Sequence, residues 1–304
     1  MTDKAHIWTD EKLIVMERRL SDIYSRANKE VGEKWRDYLV KSTKEIDELQ
    51  RSYDTAKRNG KLKEASKIGE KLEKAKKRQT LTNKRFKELE EATAIQLANV
   101  NKTALAYING ELPEVYSLNY NAFEASVSDI EGYAFSLVDT DTVRNLAATD
   151  KSLLPYKQLD VKKDVRWNVR KMNAEVLQGI LQGESMQKIA DRLDSVIGMN
   201  EVAAIRNART MVTGAENKGR LDSYARAEAD GIILQKEWIS SEDKRTRHWH
   251  LPDSFGSLVV DIDKPFSNDM GLIMYPGDPG AHPANTYNCR CTMGAVVKGF
   301  KKVK

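Results

Sequence analysis

Residues 9–60 read TDEKLIVMERRLSDIYSRANKEVGEKWRDYLVKSTKEIDELQRSYDTAKRNG. Thr9 stands before Asp10 and Glu11, an N-cap followed by the acids that suit the first turn of a helix. Apolar or small residues then recur at Met16, Leu20, Ile23, Ala27, Val31, Trp35, Tyr38, Ser42, Ile46, Leu49, Tyr53 and Ala56, a spacing of about 3.6 residues. That is the period of one nearly straight amphipathic helix and not of a heptad coil. Arg58-Asn59-Gly60 supply a basic last turn and a residue tolerant of the left-handed conformation, so the helix stops there. A second stripe starts at Leu62, Ala65, Gly69 and Leu72, weakens over 74–78, resumes at Phe86, Leu89, Thr93, Leu97, Val100 and Ala104, and ends near Gly110. The two stripes predict helices of about 50 residues, each about 75 Å long. Folded back at Gly60, they make an antiparallel hairpin over residues 1–111.

The charge of this hairpin is uneven. The whole 304-residue chain carries a net +5, yet residues 51–88 hold fourteen Lys/Arg against five acids. Lys57, Arg58, Lys61, Lys63, Lys67, Lys71, Lys74, Lys76, Lys77, Arg78, Lys84 and Arg85 form a basic tip. Such a block is either a solvated helix face or a contact for nucleic-acid phosphates. No aromatic residues interleave the lysines at the turn, which argues against stacking on single strands. Binding of this kind reads no bases and depends steeply on salt. A further four lysines stand in the tail, 298–304.

Composition sets outer limits. No run approaches the ~20 apolar residues of a membrane span, and the opening Met1-Thr2-Asp3-Lys4 lacks a secretory pattern. Two cysteines cannot make a disulfide scaffold. The expectation is a soluble protein made in the cytoplasm. No Gly-x-x-x-x-Gly-Lys-Ser/Thr loop is present, which removes a packaging motor, and no Gly-x-Ser-x-Gly elbow is present either.

Residues 112–157 read as a connector of short helices. Pro113, Asn119, Asn121, Gly132 and Asp139-Thr140-Asp141 interrupt it, while Tyr116, Tyr120, Phe123, Tyr133 and Phe135 offer aromatic packing. Helices return after Asp160. One stripe runs from Val165 to Leu181 and ends at Gly183, a second starts at Ser185 and stops at Gly198, and a third starts at Asn200 and runs to Gly231. Residues 231–239 then read as a strand, followed by short strands and turns. The fold class is therefore α+β: a long helical hairpin, a helical region, and a compact C-terminal α+β domain over 158–297 ahead of the basic tail.

The unusual residues lie between Trp238 and Cys291. They are Asp243-Lys244-Arg245-Thr246-Arg247-His248-Trp249-His250, Tyr275-Pro276-Gly277-Asp278-Pro279-Gly280 and Asn288-Cys289-Arg290-Cys291. The order Trp238, Asp243, Arg247, His250, Gly256, Phe266, Pro276-Gly277-Asp278-Pro279 and Asn288-Cys289-Arg290-Cys291 resembles the tailed-phage head-morphogenesis family, the Mu F-like minor head proteins. The resemblance covers residues 175–297. His248 departs from that pattern, since the second histidine is the one that matches. The resemblance implies a minor capsid protein present in few copies, and the expectation is that it is not an enzyme. Its expected partners are the portal protein, capsid and scaffolding proteins, and packaged double-stranded DNA, with no membrane. It would travel in the head interior after assembly in the host cytoplasm and in some members aid DNA delivery.

Three readings of the cluster stay open on sequence alone. His248 and His250 two apart on a strand would face the same side, as would Cys289 and Cys291. The four could present ligands to one structural zinc. Alternatively the cysteines are buried packing residues and His250 bonds to Asp243 or Asp278. A Cys289–Cys291 disulfide is strained at this spacing. Arg245, Arg247 and Arg290 near Asp243, Asp261, Asp263 and Asp278 suggest an Arg–carboxylate network, with phosphate binding as the other use. An alternative function is a virion-packaged hydrolase or nuclease using His248 and His250 as acid and base. Trp238 and Phe266 read as core.

Overall fold

A computed structural model describes residues 3–78, 84–128, 136–182, 184 and 186–301. The side chains of 39, 40, 42, 43, 76–78, 180, 186 and 187 fall outside the description. So do Gly132, Tyr133, Phe135, Gly183, Ser185 and the last three residues of the tail. The chain divides into two compact units that each draw on separate stretches of sequence. One comprises Met1–Arg19, Leu105–Gln158 and Ala203–Lys304, the other Leu20–Ala104 and Leu159–Val202.

The expected first helix is present as α1, Lys4–Arg58, but it begins ahead of Thr9, whose hydroxyl donates back to Ala5 O at 2.9 Å instead of capping, and Gly60 reverses the chain at φ 69°. After the turn come α2, Leu62–Arg78, and α3, Lys84–Val127. In the second unit α1 and α3 run antiparallel. The buried Trp35 meets Phe86 edge-on at 5.3 Å and donates from Nε1 to Thr93 Oγ1 at 3.0 Å. The Tyr24 hydroxyl donates to Asn101 Oδ1 at 2.6 Å. The inward face follows the predicted stripe through Leu20, Ala27, Val31, Trp35 and Ala56, with Tyr24 buried in place of its neighbour Ile23.

Two expected helix ends are absent. The second long helix does not stop near Gly110. It continues through Pro113 to Val127, so the first part of the expected connector is helix. A mid-helix proline costs about 3 kcal/mol. Against it stand the fully buried Leu112 and Val115 on either side of the proline, the Tyr116 hydroxyl donating to Asp222 at 2.7 Å, and Asn119 donating to Thr9 Oγ1 at 2.9 Å. The one short helix within the expected connector, among the described residues, is α4, Thr140–Thr149, capped by Asp139. Helix α5, Val161–Leu181, begins after Asp160 as expected. Next, α6, Met186–Ala229, passes straight through Gly198 and Asn200. Asn200 therefore does not start a helix. Its side chain accepts from Asn101 at 2.7 Å and donates to Asn168 at 2.9 Å, an interior use for an amide that local sequence ranks as a cap.

In the other unit β1, Ile232–Ile239, forms the centre of a three-stranded antiparallel sheet between β2, Val259–Asp261, and β5, Thr292–Phe300. Trp238 pairs with Met293 and Glu237 with Val259. A second hairpin joins β3, Phe266–Asn268, to β4, Gly271–Ile273, and a short α7, Pro283–Thr286, leads back toward β5. Along β1 the buried positions are Ile232, Leu234, Lys236 and Trp238, the alternation of a half-buried strand. Lys236 is the exception in chemistry. Its Nζ donates to Met274 O at 2.8 Å and lies 5.2 Å from the Phe266 ring centroid. Burial pushes the amine down to about 8, although Asp263 and Asp278 pull the other way.

One stripe of α6 holds the start of β5. Thr213 Oγ1 donates to Cys289 O at 2.8 Å, and Asn217 Nδ2 donates to Cys291 O at 3.4 Å. Asn217 Oδ1 accepts from the Met293 N–H at 2.9 Å, and Arg220 Nη1 donates to Met293 O at 3.0 Å. Positions 213, 217 and 220 share one helix face. Arg220 also pairs with Asp3 at 2.6 Å, and Glu216 accepts from Thr292 Oγ1 at 2.7 Å and meets His6 Nδ1 at 2.8 Å.

Replacing Asn217 by Ala strands a buried carbonyl and a buried N–H, and such losses cost about 2–4 kcal/mol together. Urea denaturation of the full chain checks this. Lys236 gives a second expectation. Its folded-state amine releases its proton at lower pH than the unfolded one, so the native state binds fewer protons from about pH 8 to the ordinary lysine range. Stability from this group therefore rises with pH across that window. Lys236→Met should flatten the rise in the urea midpoint between about pH 8 and pH 10.

Candidate functional site

The chain around His250 is a pair of tight turns, His248–His250 and Pro252–Ser254. The His250 N–H donates to Arg247 O at 2.9 Å, and Ser240 Oγ donates to His250 O. A turn of this type has three residues per revolution, so positions 248 and 250 point different ways. That geometry replaces the expected His-x-His strand. His248 is exposed beside Trp249, 4.6 Å between ring centroids, while His250 is 1% exposed. The two histidines thus form neither a ligand pair nor an acid–base pair.

His250 instead meets the two cysteines. Its Nδ1 lies 3.6 Å from Cys289 Sγ and 3.7 Å from Cys291 Sγ, and the three ligand atoms sit within 4.8 Å of one another. Both thiols are free and buried. Asn288 precedes them with a positive φ of 57°, and its N–H donates to Thr210 Oγ1 at 2.8 Å. The Cys291 N–H approaches Cys289 Sγ at 3.4 Å. A hydrogen bond from the Cys289 thiol, opposed by burial, holds Cys291 below the ordinary thiol range. The same bond, with burial, pushes Cys289 well above it. These three donors could hold a metal ion, one fewer than the closed four-donor set of a structural zinc. His248, expected as the fourth, is not among them.

Around this triangle lies a small apolar cluster of Trp238, Phe266, Ile273, Cys289 and Cys291. Trp238 packs edge-on against His250 at 5.2 Å and against Phe266 at 5.4 Å, which is the core role expected of both. The ring of His250 and the two asparagines Asn285 and Asn268 are linked: His250 Nε2 is 3.3 Å from Asn285 Oδ1, which also accepts from Asn268 Nδ2 at 3.1 Å. Neither Asp243 nor Asp278 bonds to His250, contrary to one expectation. Neither asparagine stands out in the sequence. As neutral amides with no fixed spacing to the cysteines, they carry no signal in a single chain.

The expected arginine network reduces to one ion pair among the described residues, Arg290 with Asp243. Asp243 also accepts from the Arg245 N–H at 2.8 Å, and Arg247 donates to Tyr287 O. Asp261 accepts from Gln235 at 2.8 Å, and Asp263 meets Lys264 at 3.4 Å. Asp278 satisfies the turn's own backbone, accepting from Met274 N at 3.1 Å and Gly280 N at 2.8 Å. In Pro276-Gly277-Asp278-Pro279 the glycine has a physical reason. Its φ is 81°, and a Cβ there would stand 2.5 Å from Gly214 N. The Gly256 N–H donates to Ser267 O at 3.2 Å.

The basic residues belong to the other unit. Lys57 and Arg58 end α1, Lys61 sits in the turn, and Lys63, Lys67, Lys71, Lys74, Lys76, Lys77 and Arg78 lie in α2. Lys84 and Arg85 open α3. Lys63, Lys67, Lys71 and Lys74 are exposed at helical spacing, opposite the buried Ala65, Leu72 and Ala75. The side chains of Lys76, Lys77 and Arg78 lie outside the described residues. Exposed pairs such as Lys61–Glu64 at 3.3 Å and Lys84–Glu88 at 3.8 Å hold their cations weakly. No described helix is long and apolar enough to cross a membrane.

Comparison with known proteins agrees with the resemblance over the C-terminal part of the chain. A curated relative, the NAD(+)--arginine ADP-ribosyltransferase EFV of Enterococcus faecalis (strain ATCC 700802 / V583), is 28% identical over 125 residues. That stretch is 41% of this chain and 25% of the relative, so the chain spans about a quarter of that protein's length. No solved structure matches. Residues 170–294 match the family model described as Phage Mu protein F like protein. That segment, which contains all of α6, strands β1 to β4 and the His250–Cys289–Cys291 triangle, is similar to the Mu F-like family of phage head proteins.

Proposed function

We propose that this chain is a minor head protein of a tailed phage, carried in the virion, that associates with the portal during assembly and touches packaged DNA without reading its sequence. The role is structural and not enzymatic. The observation that carries the DNA contact is the exposed row of Lys63, Lys67, Lys71 and Lys74 on α2, flanked by Lys57, Arg58, Lys61, Lys84 and Arg85. A row of ammonium groups one helix turn apart suits a phosphate backbone, which demands positive charge and no base-reading geometry. The match to EFV covers too little of that protein to bring its named activity here.

The same reading gives the His250–Cys289–Cys291 triangle a structural zinc. With Zn–S about 2.3 Å and Zn–N about 2.0–2.1 Å, tetrahedral angles require a sulfur–nitrogen edge of about 3.6 Å. The two observed edges are 3.6 and 3.7 Å. An ion there would tie the turn after β1 to the segment that leads into β5.

Two measurements test these readings. The logarithm of duplex-DNA affinity should fall with the logarithm of salt concentration. Changing Lys63, Lys67, Lys71 and Lys74 together to Gln should make that slope shallower by about 2–4, since each phosphate no longer neutralised removes near 0.9 from it. An unchanged slope takes this row out of the interface. For zinc, elemental analysis should find close to one ion per chain, and a chelator should lower the melting temperature of the native protein but not of His250→Ala. Protein that purifies without metal and melts identically in chelator rejects the zinc.

A further inference from the structure

The hydrogen bonds around His250 have a polarity that one backbone group fixes. The Met270 N–H can only donate, and it lies 2.9 Å from Asn268 Oδ1. Asn268 therefore offers its Nδ2 at the other end, 3.1 Å from Asn285 Oδ1. An amide nitrogen that donates must meet an oxygen, so Asn285 cannot be turned the other way. The same Asn285 oxygen lies 3.3 Å from His250 Nε2. An amide oxygen only accepts, so Nε2 carries the ring's proton. In the neutral ring His250 Nδ1 is then a bare lone pair, and it is the atom 3.6 and 3.7 Å from the two sulfurs.

We infer that Asn268 and Asn285 are the outer shell of a His–Cys–Cys metal centre, holding His250 as the tautomer whose Nδ1 lone pair faces the ion. The metal half of this inference rests on the zinc reading above; the tautomer half stands on the hydrogen-bond polarity alone. An imidazole must present an unprotonated nitrogen to a metal, and a partner on its other N–H fixes which nitrogen that is. Here the partner is a neutral amide, held in turn by a second amide and a main-chain N–H, all on the β3–β4 hairpin and α7. Asn268 and Asn285 are thus positioning residues that touch no metal.

Isosteric variants separate this from packing. Asn268→Asp keeps an acceptor for the Met270 N–H but places a second oxygen where Nδ2 stood. Asn285 must then turn its Nδ2 toward residue 268 and toward His250 Nε2, which drives the ring proton to Nδ1. Zinc affinity of the full chain, measured by competition with a chromophoric chelator, should fall about tenfold or more, within the roughly 10–100-fold range of lost outer-shell partners. A simple charge effect predicts the opposite, since an added carboxylate near a cation tightens binding. Asn285→Asp still accepts on both sides, and its lost Nδ2 makes no hydrogen bond among the described residues. Its affinity should stay within a few-fold of the parent. Nitrogen-15 spectra of metal-free protein should show the His250 proton on Nε2 in the parent and in Asn285→Asp, and on Nδ1 in Asn268→Asp. A parent that binds zinc no more tightly than Asn268→Asp, or that carries the proton on Nδ1, overturns the inference. A parent that binds no zinc overturns the zinc reading on which its metal half depends.

Discussion

The domain depends on a helix reading the backbone of a strand. Asn217 faces the chain at Cys291 and Met293 with one amide, donating to the carbonyl of the first and accepting from the N–H of the second. That is the hydrogen-bonding pattern a neighbouring strand would offer. Thr213 and Arg220 extend it by one carbonyl on each side, Cys289 and Met293. The segment needs such a partner because β5 has β1 on one side only. A buried strand edge left without one would strand peptide groups away from water. The contact also places the two cysteines, since Cys289 and Cys291 are the residues whose carbonyls α6 holds.

The polar stripe on α6 is itself satisfied in layers. Burial works against the charge of Arg220, yet Glu216 and the Asp3 carboxylate outweigh the loss of water and keep the guanidinium protonated. His6 stands in the same group. Burial alone would push its ring toward the neutral form, but the hydrogen bond and charge of Glu216, with Asp10 beyond, raise its affinity for a proton. The first turns of α1 are therefore fastened to α6 by charge-assisted bonds and not by apolar packing alone. Removing one member leaves another charge buried and unpaired, the costly case for interior ions.

Local pattern predicts the elements whose cause is local. The period of about 3.6 from Met16 to Ala56 marks α1 because burying that face decides whether so long a helix forms. Gly60 marks its end because φ there is positive. The alternation along β1 is legible for the same reason. Where pattern misleads, distant contacts outweigh local preference. Gly198, Asn200 and Pro113 are helix-breaking residues on propensity, yet Asn101 and Asn168 employ Asn200, and Leu112 and Val115 bury the turn around Pro113. In the site, His250, Cys289 and Cys291 are legible as rare residue types in a tight order. Their true geometry is not, because a three-residue turn in place of a strand sends His248 outward. Asn268 and Asn285 give no signal, since an amide's value lies in its orientation.

These contrasts explain why the motif residues from Trp238 to Cys291 are scattered single words and not a periodic stripe. Strands β2, β3 and β4 are three residues each, too short for a ladder to hold them. The segment between β1 and β5 must be fixed by other means, and several of these motif residues supply one. Asp278 gathers the backbone N–H groups of its own turn, and Gly277 lets that turn approach Gly214. Arg290 pairs with Asp243, and Arg247 reaches the Tyr287 carbonyl, tying the turn after β1 to the approach to β5. His250 meets Cys289 and Cys291 across the same gap. All of these are point fastenings between loops and backbone, so their sequence spacing follows loop lengths. A small apolar cluster around Trp238 could not by itself hold loops of this length, because its side chains leave the loop backbone without partners. That is why the motif residues from Trp238 to Cys291 are mostly polar, glycine or proline.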